Sequence, residues 1–135
     1  MSFRYLLDTN ICIYIRQRRP EAVLRHFGKL RPGDAALSVV TYGELFYGAQ
    51  KSSQPKAALE RLTELLQLLP PLPLPDNAGQ IYGTIRAKLE SKGELIGNND
   101  LWIAAHAMAS EMILVTNNER EFHRISSLKV QNWTK

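Results

Sequence analysis

The chain has 135 residues, 44% hydrophobic and 22% charged. That is enough apolar material for one domain with a real core, expected over residues 1–135, and it excludes a disordered or fibrous protein. The formal net charge of +4 mildly favours a polyanionic partner, and the single cysteine, Cys12, excludes an internal disulfide and fits a reducing cytoplasm. No apolar run approaches the roughly 20 residues that crossing a bilayer requires, and Asp8 interrupts the N-terminal apolar stretch, so neither a membrane span nor a signal peptide is expected.

Short apolar runs alternate with longer helical patterns, which predicts an α/β fold with a mainly parallel sheet of four to five strands. Arg4 to Leu7 reads as the first strand, and Thr9 or Asn10 is positioned to cap the helix that follows. A second helix is expected from Pro20 or Glu21 to about Leu30, then a turn at Arg31-Pro32-Gly33-Asp34. Ala35 to Ser38 is the second strand, and the helix after it carries Glu44 and runs to about Gln50. Pro55 opens a helix with an amphipathic stripe of leucines at 59, 62, 65, 66 and 69, suited to a core or a subunit interface. Pro70 to Pro75 carries too many prolines for a central strand, so an edge strand or a connector is expected. Asp76 or Asn77 caps a helix to about Ser91, Gly97-Asn98-Asn99 forms a loop, and Asp100 opens a helix to about Ser110. Ile113 to Val115 is the next strand, with another within Lys129 to Trp133.

Three acids stand out because nothing nearby neutralises them. Asp8 closes an apolar run, Glu44 lies among Val40, Tyr42, Leu45, Phe46 and Tyr47, and Asp100 precedes Leu101-Trp102-Ile103. Ionised carboxylates in such settings are costly unless paired, hydrogen-bonded or bound to a metal. Other acids have helical cations within reach: Lys56 for Glu60, Arg61 for Glu64 and Arg86 for Glu90. In open parallel sheets ligands bind beyond the carboxyl ends of the strands, where Asp8, Asp100, Glu44 and the Thr116-Asn117-Asn118 segment would meet. Asp100 at a helix N-terminus would have its charge favoured by the dipole. Carboxylates without histidine or cysteine clusters suit Mg²⁺ or Mn²⁺ and not Zn²⁺.

These segments resemble the motifs of PIN-domain nucleases, in their VapC-type branch. Leu6-Leu7-Asp8-Thr9-Asn10 is similar to the opening motif, and Thr41 to Gly48 to the second, an acid followed by Leu and, three residues later, Gly. Ile96 to Ala107 resembles the third, and Val115 to Phe122 with Asn132-Trp133 the C-terminal part, so the likeness covers essentially the whole chain. It implies a three-layer α/β/α fold and a Mg²⁺- or Mn²⁺-dependent endoribonuclease in which Asp8, Glu44 and Asp100 hold metal and position the attacking water. It also implies the toxin half of a toxin–antitoxin pair: a homodimer, neutralised by a VapB-type antitoxin that alone contacts operator DNA, cutting a structured transfer or ribosomal RNA. Many members carry a fourth acid where this chain has Asn118, an amide that ligates without charge; Glu119 or Glu121 would have to supply that charge. Thr116 and Asn10 would support the site.

Arg16, Arg18 and Arg19, with Arg25, Lys29 and Arg31, form a candidate phosphate-binding rim, and Arg86, Lys88 and Lys92 a second strip; solvated helix surface is the alternative for both. His26, His106 and His123 are scattered, without a triad arrangement. A non-catalytic nucleic-acid-binding module with a degenerate metal site would explain the basic balance but not three converging acids. A phosphatase of small phosphoesters would need a second aspartate two residues after Asp8, where Asn10 stands.

Overall fold

The computed structural model describes residues 3–135. Its elements are β1 (Tyr5–Leu7), α1 (Thr9–Gln17), α2 (Glu21–Gly28), β2 (Ala35–Ser38), α3 (Val39–Lys51), α4 (Pro55–Leu68), β3 (Pro71–Leu72), α5 (Ala78–Ser91), α6 (Asn98–Ala109), β4 (Ile113–Val115), α7 (Glu119–Phe122) and β5 (Val130–Gln131). The five strands lie in the order β3-β2-β1-β4-β5, every pairing parallel. Tyr5, Leu6 and Leu7 of the central strand are all buried, as a strand covered on both faces requires.

Alternation along the strands sorts the core into two halves. Tyr5, Leu7, Ala35, Leu37 and Val115 face one side, with Ile11, Cys12 and Ile15 of α1, Val23 of α2, Leu45 of α3 and Leu62 and Leu65 of α4. Leu6 and Leu114 face the other, with Ile85 and Leu89 of α5, Leu101, Ile103 and Ala104 of α6, and Phe122, Ile125 and Leu128. The result is the three-layer α/β/α arrangement. Leu62, Leu65 and Leu69 of the leucine stripe are buried within the chain's own core, and Leu59 is half-buried. Cys12 is a buried thiol whose burial pushes its pKa well up.

The proline segment makes only an edge strand, β3, where Leu37 and Ser38 pair with Pro71 and Leu72. Edge placement suits it because proline cannot donate to a second neighbour. The helix expected from Asp100 begins two residues earlier, at Asn98, with Gly97 as its cap. One short helix, α7, escaped the sequence reading; four residues are too few to show a period. The expected surface pairs Lys56–Glu60, Arg61–Glu64 and Arg86–Glu90 do not close: among the described residues the ion pair formed joins Lys135 to Glu119 at 2.9 Å. Exposed long side chains lose more entropy in such pairs than the screened attraction returns. No helix among the described residues is long and apolar enough to cross a membrane.

Candidate active site

From β1 the chain builds outward through β2 and β3 on one side, then returns to place β4 on the other. The order therefore reverses between β1 and β4, and the crevice beyond their carboxyl ends is where such sheets bind ligands. Asp8 stands on that edge. Its N–H donates to the Val115 carbonyl (3.0 Å), and its own carbonyl accepts from the Cys12 N–H (3.1 Å). Its Oδ1 accepts from the Ile11 N–H (3.1 Å), so Asp8 is itself the cap of α1, and Thr9 and Asn10 are the helix's first residues, not its caps. Its Oδ2 accepts the Thr116 hydroxyl from the end of β4. Asp8 is 5% exposed. Burial pushes its carboxyl up from 3.8 to about 6 against those two hydrogen bonds, and the negative charges of Asp100 and Glu44 push the same way.

Glu44 sits on the flank of α3, whose buried face is Thr41, Leu45 and Ala49. The half-buried carboxylate accepts the Thr9 hydroxyl at 2.5 Å, and Thr9 Oγ1 lies 3.4 Å from Thr41 Oγ1. Asp100, in the first turn of α6, is raised above its ordinary range by burial first, then by the charges of Glu121 and Glu44. The helix N-terminus was expected to favour its charge; desolvation and two neighbouring acids outweigh that effect. Asp8 thus senses Asp100 and Glu44, Asp100 senses Glu44 and Glu121, and none of the four has an ion pair among the described residues.

The segment after β4 divides its labour. Thr116 is fully buried; besides donating to Asp8 it accepts the Asn118 N–H (2.9 Å). Asn118 donates its amide to Glu121 Oε1 (2.8 Å), so it orients a carboxylate in place of supplying one. Glu119, named from sequence as a possible ligand, turns to Asn132 (2.8 Å) and Lys135 (2.9 Å), and those contacts hold its carboxyl below the usual range. Glu121 is the acid this segment presents to Asp100. Asn10 is exposed and forms no side-chain hydrogen bond among the described residues. Arg16 lines a groove with Thr9 and Glu44; Arg18 and Arg19 are exposed past the end of α1, and Arg19 lines a separate cavity with Tyr14 and Asn117.

Two supports were invisible in the sequence. Ser38 caps α3 by accepting from the Val40 N–H (3.1 Å) and pairs with buried His106 Nδ1 (2.8 Å) of α6, bracing the helix of Glu44 against the helix of Asp100. Burial lowers the His106 pKa, which keeps the ring neutral in that role. Thr9 is the other; its only signal was its place inside the first motif. An oxygen-only donor set with raised carboxyl pKa values is a crevice with uncompensated negative charge, and it fits a hard divalent cation. No three His, Cys, Asp or Glu side chains among the described residues are gathered at ligand spacing.

Residues 5–128 match the family model described as the PIN domain. The chain is 42% identical over 130 residues to Ribonuclease VapC2 of Haemophilus influenzae, covering 96% of this chain and 98% of that one. It is 37% identical over 131 residues to the tRNA(fMet)-specific endonuclease VapC of Shigella flexneri, covering 97% and 98%. The solved structure of VapBC2 from Rickettsia felis, bound to a DNA fragment from their promoter, aligns with a TM-score of 0.89 at 37% identity, over 97% of this chain and 99% of that chain. The chain belongs to the PIN-domain family and, within it, to the VapC ribonucleases of toxin–antitoxin systems.

Proposed function

We propose that the chain is a divalent-metal-dependent endoribonuclease, the toxin of its pair, cutting a structured RNA at a restricted site. The observation that carries this is the convergence of Asp8, Glu44 and Asp100, joined by Glu121, at the reversal point of the sheet without a cationic partner. Bare acids repel phosphate, so the arrangement is useful to RNA only with a cation between them. When bound, Mg²⁺ or Mn²⁺ supplies Lewis-acid stabilisation of charge on the phosphodiester and eases deprotonation of water. Asp8, Glu44, Asp100 and Glu121 would hold it.

The rest of the work falls to the chain. Thr116 and the Ile11 N–H fix both oxygens of Asp8, so its remaining lone pairs have set directions. Thr9 fixes Glu44, and the Ser38–His106 bond fixes the spacing of α3 and α6. Asp8 is placed to hydrogen-bond the attacking water through the lone pairs that Thr116 and the Ile11 N–H leave free. Its neighbour acids orient that water for in-line attack.

The relative from Shigella flexneri supports transfer RNA as the first substrate class to test, with ribosomal RNA second. The complex from Rickettsia felis supports a VapB-type antitoxin as partner, with DNA reached through it, and we extend this to a homodimer working in the cytoplasm as one PIN domain over 1–135. Purified, antitoxin-free protein should cut total cellular RNA into a few discrete fragments with Mg²⁺ or Mn²⁺, and cutting should stop with EDTA and in Asp100→Asn. Cleavage that survives EDTA, or full activity of a folded Asp100→Asn variant, would reject the site. Binding without any cleavage would favour a binding module.

A further inference from the structure

Glu44 also lines a groove of about 240 Å³ between α1, α3 and α4. Thr9 and Arg16 line it from α1, Glu44, Gly48 and Ser52 from around α3, and Arg61 from α4. At 1.5 Å per helical residue, Thr9 to Arg16 spans roughly 10 Å, room for one to two nucleotides of a single strand. The sequence suggests Glu64 as a partner for Arg61, yet neither the Arg61 nor the Arg16 side chain forms an ion pair or hydrogen bond among the described residues. Two guanidinium groups without an ion pair therefore stand along a groove that Glu44 also lines.

Gly48 gives the groove its bare wall. It sits in the last turn of α3, and a Cβ added there meets nothing within 4 Å. Packing does not require the glycine, and with no side chain there the groove wall is bare. This assigns a use to the second motif's trailing Gly, which the metal-site acids leave unexplained.

We propose that this groove carries the RNA strand beside the cut, with Arg16 and Arg61 binding successive phosphates and Gly48 keeping the passage open; this rests on the nuclease reading above. Guanidinium groups pair with phosphate oxygens in bidentate fashion, and cations set away from the acids hold a polyanion that the acids alone would repel. An acidic peptide is the rival occupant. RNA is favoured because Glu44 and its partner Thr9 belong both to the groove and to the acidic site.

The test measures total transfer RNA binding in the Asp100→Asn background over a salt series, and cleavage kinetics in the active background. Arg16→Gln and Arg61→Gln should each weaken binding roughly tenfold, lower the slope of log affinity against log salt by about 0.7, and act on KM more than on kcat. Gly48→Leu should weaken binding as much while Tm holds or rises. Lys56→Gln, which removes the same charge elsewhere on α4, should leave binding unchanged. Wild-type affinity and salt slope in both arginine variants and in Gly48→Leu would overturn the groove, and selective loss of binding to a polyglutamate peptide would hand it to an acidic partner. An active Asp100→Asn variant would instead overturn the nuclease site, and the affinity measurements would still decide the groove.

Discussion

Asp8→Asn should stabilise the metal-free protein while abolishing its activity. In the folded chain burial holds the Asp8 carboxyl at about 6 against 3.8 in its ordinary state. The native state therefore binds more protons than the unfolded state between those values. The stability contributed by the protonated acid is fully present below about pH 3.8 and is lost as pH rises through about 6. At neutral pH the ionised, buried carboxylate costs the fold about 2–3 kcal/mol. Asparagine removes that charge and keeps the cap, since its Oδ1 accepts from the Ile11 N–H and Asn caps helices about as well as Asp. The buried Thr116 hydroxyl loses its acceptor, however, which offsets about 1 kcal/mol of the gain. With an unfolding entropy of about 2 cal/mol/K per residue, the net gain at pH 7.5 is on the order of 5 °C in Tm. The assay is thermal unfolding of both proteins in EDTA from pH 4 to 8. The variant's advantage should be largest above pH 7 and vanish by pH 4, and adding Mn²⁺ should raise the wild type far more than the variant. A Tm difference that does not change with pH would refute the argument that burial of an uncompensated charge shapes this site.

Thr9→Val frees Glu44 while keeping the side chain's shape, so kcat should fall about tenfold with Tm nearly unchanged, read by initial rates on the mapped substrate. Glu121→Gln should weaken Mn²⁺ binding and cleavage, whereas Glu119→Gln, which touches only the C-terminal residues, should not change Mn²⁺ affinity by calorimetry. Asn118→Asp adds a carboxylate beside Glu121 and Asp100, and should raise Mn²⁺ affinity several-fold while lowering the Tm of the metal-free protein. His106 has its pKa lowered by burial, so its contribution is present above about pH 6.5 and lost as pH falls below it, the opposite slope to Asp8; His106→Gln should flatten that acid-side loss in a pH series of Tm.

What the sequence reveals and what it hides follow from the range of the interactions involved. The strands and most helices are legible because burial is periodic over a few residues: Ala35 to Ser38, Ile113 to Val115 and the Leu62–Leu65–Leu69 stripe each carry their own pattern. The acids are legible for the opposite reason, since Asp8, Glu44 and Asp100 lack a local compensation that other acids have within one helical turn. Boundaries fail where a cap decides them. Asp8 displaces Thr9 as the cap because its side chain reaches the Ile11 N–H, and α6 starts at Asn98 because Gly97 turns the chain before Asp100.

The supports of the site, apart from Thr116, which the motif resemblance named, are illegible because each joins residues far apart in the chain. Thr116 reaches Asp8 across 108 positions, His106 reaches Ser38 across 68, and Thr9 reaches Glu44 across 35. Glu119 and Glu121 show the same limit at close quarters. Both follow Asn118 on one short helix, but a two-residue step along a helix turns a side chain to a different face. Only the positions of β5 and the C-terminus decide that Glu119 meets Asn132 and Lys135 while Glu121 faces Asp100. A local sequence pattern can thus say that charge is gathered without compensation. Which hydroxyl or amide holds each acid in place is a property of the sheet order, which sets β1 beside β4 and so brings Asp8, Thr116 and the acids of α6 and α7 to one edge.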